Sequence, residues 1–102
     1  MKSRYEHEAE RLAKLPRAAR YDELLRFPAE LTFKAIGRAA GFREAVRRVL
    51  DEAGHAGTRL DERRSGAGTY VAITFTIDVA SGAEIDELYT RLEVLPGLAF
   101  LF

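Results

Sequence analysis

The residues best suited to chemistry in this 102-residue chain are the run Gly37-Arg38-Ala39-Ala40-Gly41. It stands between an alternating segment and a helical one. Glycine permits close backbone approach to a ligand. A helix starting after Gly41 presents unpaired N–H groups to a carboxylate. Arg38 would add a charge-assisted hydrogen bond. Gly37, Arg38 and Gly41 are therefore the candidate ligand-binding residues. The same glycines also suit an ordinary tight strand-to-helix link.

No other cluster offers a comparable arrangement. His7 and His55 are the only histidines, and neither lies at a metal-closing spacing from other ligand residues. Asp51 and His55 are four apart, which suits a cation at a helix C-terminus. None of Ser3, Ser65 and Ser81 sits in a nucleophile-elbow pattern, and Ser65 is expected to hydrogen-bond the backbone of its turn. The adjacent acids Asp22-Glu23, Asp51-Glu52 and Asp61-Glu62 point apart on a helix or strand, so they make poor acid–base pairs. The chain has no cysteine, which excludes disulfides, thiolate metal sites and cysteine nucleophiles. The expectation is no catalytic residue, no metal and no cofactor.

Gly68-Thr69-Tyr70-Val71-Ala72-Ile73-Thr74-Phe75 faintly resembles an RNA-recognition core sequence. Parity argues against that use, because Phe75 shares its side with Val71, Ile73 and Ile77 and only Tyr70 faces out. Sixteen basic and sixteen acidic residues balance, so neither nucleic acid nor a membrane surface is expected as a partner. No apolar run reaches the roughly 20 residues of a bilayer span. The first residues show no apolar signal core. A cytoplasmic location is the expectation.

The elements that position these residues follow from periodicity. Tyr5, Ala9, Leu12 and Leu15 share one helical face, with Ser3 and Glu6 forming a capping-box pattern. Pro16 is expected to end that helix. Residues 1–20 carry six basic and three acidic residues, a basic arm on a slightly acidic remainder. Its narrow stripe needs packing to hold a helix, and the expectation is that it docks on the body or on a second subunit. Tyr21–Pro28 reads as a helical turn followed by an extended entry. From Glu30 the period becomes two, with Leu31, Phe33 and Ala35 on one side.

Phe42, Ala45, Val46, Val49, Leu50 and Ala53 mark an amphipathic helix over 42–53, stopped at Gly54 or Gly57. Thr58–Arg64 reads as a polar edge strand. Val71, Ile73, Phe75, Ile77 and Val79 form the apolar side of a strand over 69–79. A second helix opens at Ser81 or Gly82 and buries Ile85, Leu88, Tyr89 and Leu92. Leu98–Phe102 is a last strand. The expected core joins Val71, Ile73, Phe75 and Ile77 to Phe33, Val46, Val49, Leu50, Ile85 and Leu88. The open face would carry Thr32, Lys34, Ile36, Ala72, Thr74 and Thr76. The order β-α-β-β-α-β with right-handed crossovers predicts a ferredoxin-like α+β sandwich with an extra N-terminal helix. The expected domains are a helical arm over 1–20 and the sandwich over 21–102.

From Tyr21 onward the chain resembles the YbeD-like family of small uncharacterised bacterial proteins. The carrying residues are Asp22-Glu23-Leu24-Leu25, Phe27-Pro28, Phe33-Lys34-Ala35-Ile36-Gly37, Ser65 with Gly68 and Tyr70, and Leu88-Tyr89. Residues 1–20 lie outside the family core. The resemblance implies a ferredoxin-like fold similar to the ACT regulatory domain, with no established enzymatic activity. In ACT-like domains the first strand–helix link lines an effector pocket, often at a dimer interface. The leading expectation is a non-catalytic regulatory or protein-interaction module with an unidentified protein partner. A homodimer is a further expectation. The rival reading is an ACT-type sensor binding an amino acid at Gly37–Gly41.

Overall fold

The computed structural model describes residues 3–102. Its order is α1 (Arg4–Ala13), α2 (Arg17–Leu24), β1 (Ala29–Arg38), α3 (Phe42–Glu52), β2 (Asp61–Arg64), β3 (Tyr70–Val79), α4 (Gly82–Glu93) and β4 (Leu98–Leu101). The strands form one antiparallel sheet in the order β2-β3-β1-β4. From β1 onward this is the ferredoxin-like βαββαβ plan, with both crossover helices on one face.

The long central pair sets the register. Ala29 faces Val79 at one end of the β1–β3 ladder, and Arg38 faces Tyr70 at the other. One side of that ladder is apolar at every second residue, so it supplies the core. Phe33, Ala35, Val71, Ile73, Phe75, Ile77 and Val79 are buried against Phe42, Val46, Val49, Leu50, Ile85, Leu88 and Leu92. Every residue of the expected core is among them. Phe33 and Phe75 stack at 5.3 Å, and Tyr89 meets Phe33 edge-on at 5.4 Å.

Helix ends follow local chemistry. The Glu6 N–H donates to Ser3 Oγ and the Glu84 N–H to Ser81 Oγ, each at 3.2 Å. Ser3 is the N-cap read from the sequence, and of the two expected starts of α4 the structure makes Ser81 the N-cap and Gly82 the first helical residue. Gly54 and Gly57 both adopt positive φ beyond α3. The Phe27–Pro28 peptide bond is cis.

Three boundaries differ from expectation. Paired β2 starts at Asp61 rather than Thr58, because Leu60 turns into the core before pairing begins. α1 stops at Ala13, short of Leu15. Pro16 does not simply end a helix: it is the N-cap of α2, which runs through the expected division between residues 20 and 21. Proline suits a helix start because its missing N–H needs no partner there.

Neither α1 nor α2 has a fully buried residue, but α2 is docked on α4 through Arg17, Tyr21 and Asp22. Arg17 pairs with Asp86 and, at 2.7 Å, with Glu93, and its guanidinium lies 5.6 Å from the Tyr89 ring centroid. The hydrogen bonds that Arg17 donates to Glu93 and Asp86 hold its pKa above its ordinary value. Burial pushes the Tyr89 phenol up, with Tyr21 adding to the shift. Gly82 closes the contact. Its N–H donates to Asp22 Oδ1 at 2.8 Å, and a Cβ there would stand 2.0 Å from the Ala18 carbonyl oxygen. The last residues of the expected arm, from Arg17 on, thus belong to the packed body.

Candidate functional site

Two surfaces carry the chemistry, a groove at the β1–α3 end of the sheet and the sheet's open face. The first is a groove of about 600 Å³ lined by Arg38, Gly41, Arg43, Glu44, Arg64 and Thr69, among others. Gly41 is the N-cap of α3 with φ +74° and offers no side-chain cap, which leaves N–H groups of the first helical turn without a side-chain acceptor. Arg43 donates to the Leu60 carbonyl at 3.4 Å, and Arg64 lies 3.7 Å from Glu62.

The structure separates the three candidate ligand residues. Arg38 and Gly41 line the groove. Gly37 does not: β1 continues through Arg38, so Gly37 is a buried strand residue. A Cβ at Gly37 would stand 2.4 Å from the Phe42 ring. Its missing side chain serves the packing of Phe42, and the true link is 39–41.

The second surface is the open face of the sheet. Thr32, Lys34, Ile36, Ala72, Thr74 and Thr76 occupy it, as parity predicts, and Thr32 and Thr76 hydrogen-bond at 2.8 Å. On β3 only Tyr70 among the aromatics faces out, as expected; β4 adds two more rings to this face, which sequence periodicity does not place there. Phe100 is paired with Ile36, and Phe102 exchanges both backbone hydrogen bonds with Lys34. Paired residues share a face, so both rings stand on the open side. Each is 62 % exposed, and they stack at 6.3 Å. Arg38 extends over Tyr70, 5.8 Å from the ring centroid. A shallow depression of about 200 Å³ joins Ile36, Arg63, Tyr70 and Ala72. The patch brings exposed apolar rings, the β4 backbone edge and the cations Lys34, Arg38 and Arg63 together on one face.

The remaining candidates take structural roles. His55 Nε2 lies 2.8 Å from Glu84 Oε1, not against Asp51, and Glu84 Oε2 accepts from the Ala80 N–H at 2.7 Å. This ties the loop after α3 to the start of α4. Ser65 Oγ accepts from the Tyr70 N–H at 3.2 Å, closing the β2–β3 turn. His7 is exposed on α1. Among the described residues, no three His, Cys, Asp or Glu side chains are grouped to hold a metal ion. No helix among them is long and apolar enough to cross a membrane.

Fold and surface together define a small ferredoxin-like α+β domain with one helix-covered sheet face and one uncovered. The chain belongs to the DUF493 family, described as proteins of unknown function, whose profile matches residues 22–102. It is 32 % identical over 80 residues to a UPF0250 protein of Shewanella piezotolerans, covering 78 % of this chain and 91 % of that protein. A UPF0250 protein of Shewanella halifaxensis is 31 % identical with the same coverage. The solution structure of protein HP0495 from H. pylori superposes with a TM-score of 0.64 at 13 % identity, covering 76 % of this chain and 85 % of that one. That likeness speaks to the fold alone. The match from residue 22 agrees with the YbeD-like resemblance.

Proposed function

We propose that this protein is a non-catalytic regulatory or interaction module of the bacterial cytosol that docks a protein partner on its open sheet face. One observation carries the reading: the stacked, exposed Phe100–Phe102 pair beside Ile36 on an uncovered face. Exposed aromatics beside cations are what protein interfaces favour. The test is affinity purification with the native chain and with Phe100→Ser/Phe102→Ser. Partner recovery should collapse in the double variant while its melting temperature holds. Equal recovery from both would contradict the reading.

A second reading rests on the groove. Arg38, Arg43 and Arg64 surround an α3 N-terminus without a side-chain cap, a setting that suits a carboxylate. An amino acid there would make the protein a small-molecule sensor. It would raise the melting temperature with concentration, and Arg43→Ala would abolish the shift. No shift across a full amino-acid panel at millimolar concentration would remove this reading.

A further inference from the structure

Apart from Asp61 and Lys34 in its middle row, the open face keeps its opposite charges at opposite ends. At one end Glu30 and Asp78 stand directly across from each other on β1 and β3. Like charges so placed repel, and neither has a cation partner among the described residues. Toward the other end lie Arg38, over Tyr70, and Arg63, in the Ala72–Ile36 row. Among the described residues neither arginine has a carboxylate partner. Glu30 and Arg38 are eight strand residues apart, about 26 Å. A surface patterned this way complements itself only when one copy is turned end for end.

Building on the reading that this face docks protein, we propose that its occupant is a second copy of the chain, packed face to face. The two-fold axis lies between the sheets, across the strands at the Lys34 row. Turned so, Glu30 of each copy lies over Arg38 of the other, and Asp78 over the Tyr70–Arg63 side. Phe102, which pairs with Lys34, meets its counterpart beside the axis. Phe100, in the Ile36 row, is carried to the Thr32 row of the opposite sheet, where β1 runs past its last pairing with β4. β1 and β3 run ten residues each and β2 and β4 four each, a footprint of about 450 Å². That is near half of the roughly 800 Å² per partner of a standard interface, the size of a weak dimer. Two features are unfavourable: Lys34 and Asp61 share one row across Thr74, so the two copies of each fall near the axis, with Asp61 held 3.0 Å from Arg59.

Lys34 separates self-pairing from any other occupant. Removing it with Lys34→Thr relieves repulsion in a self-pair, but takes a favourable cation from an acidic protein or a single-stranded nucleic acid. The experiment is sedimentation equilibrium of the full chain from micromolar to millimolar concentration, with thermal melting as the folding control. Wild type should dimerise, and Lys34→Thr should tighten the dimer. Glu30→Arg and Arg38→Glu should each weaken it at least about tenfold. An equimolar mixture of the last two should restore it, because both cross-copy pairs then have opposite signs. A wild-type monomer at millimolar concentration overturns the proposal, as does a mixture that fails to restore the dimer, or weakening by Lys34→Thr. If the chain stays monomeric while partner capture still depends on Phe100 and Phe102, self-pairing falls and the docking reading stands.

Discussion

Single positions fix both the packing and the working surface. Gly37 and Gly82 are close-approach glycines, one beneath the Phe42 ring and one against the Ala18 carbonyl. Either Gly→Ala change forces rigid neighbours apart, and each should cost about 1–3 kcal/mol, as overpacking does. Chemical denaturation checks this, and an unchanged midpoint would mean the contacts are looser than drawn. Phe75 is 1 % exposed and stacked on Phe33, so Phe75→Ala should cost about 3–5 kcal/mol. A loss under about 1 kcal/mol would be incompatible with a buried ring there. The burial of Phe75 was legible in the sequence because apolar residues alternate over five consecutive odd positions. The role of Gly37 was not. Whether a glycine serves a ligand or a ring depends on what the tertiary fold brings above it, and Phe42 arrives only once α3 packs.

At the scale of elements, α3, β3 and the N-cap of α1 could be read directly, since each has a strong period or a local capping pattern. α2 was obscured by Pro16, a residue that both stops one helix and starts the next. β4 was obscured differently. All of Leu98–Phe102 is apolar, so periodicity gives it no inner and outer side. Only its register on β1 turns Phe100 and Phe102 outward. The docking of α2 yields a prediction about truncation. Removing residues 1–15 deletes α1, which has no fully buried residue and only Leu12 half-buried, and should shift the melting temperature little. Removing residues 1–20 also deletes Arg17 and Ala18 and exposes the flank of α4. Loss of the half-exposed Arg17 pairs alone is worth about 1 kcal/mol, roughly 4–8 °C in a domain this size. Equal melting temperatures for the two truncations would show that α2 is not held by its first turn.

The whole molecule is a sheet with a heavily covered back and a bare front. α2, α3 and α4 stack on one side, while the other presents rings, threonines and segregated charges to solvent. The two edges differ as well. β2 is four charged residues, a pattern that discourages strand addition, whereas β4 carries no charge. The molecule is therefore asymmetric in what it offers a partner, with its exposed rings on the front face next to β4. The most direct test places a photo-crosslinking amino acid at position 100, on the front, and in a separate chain at position 48, exposed on α3. Irradiation in living cells should give discrete protein adducts from position 100 and none from position 48. An adduct at twice the chain mass identifies a second copy, and another mass a different protein. No adduct from position 100, or the same adducts from both positions, would contradict the claim that the open sheet face is the docking surface.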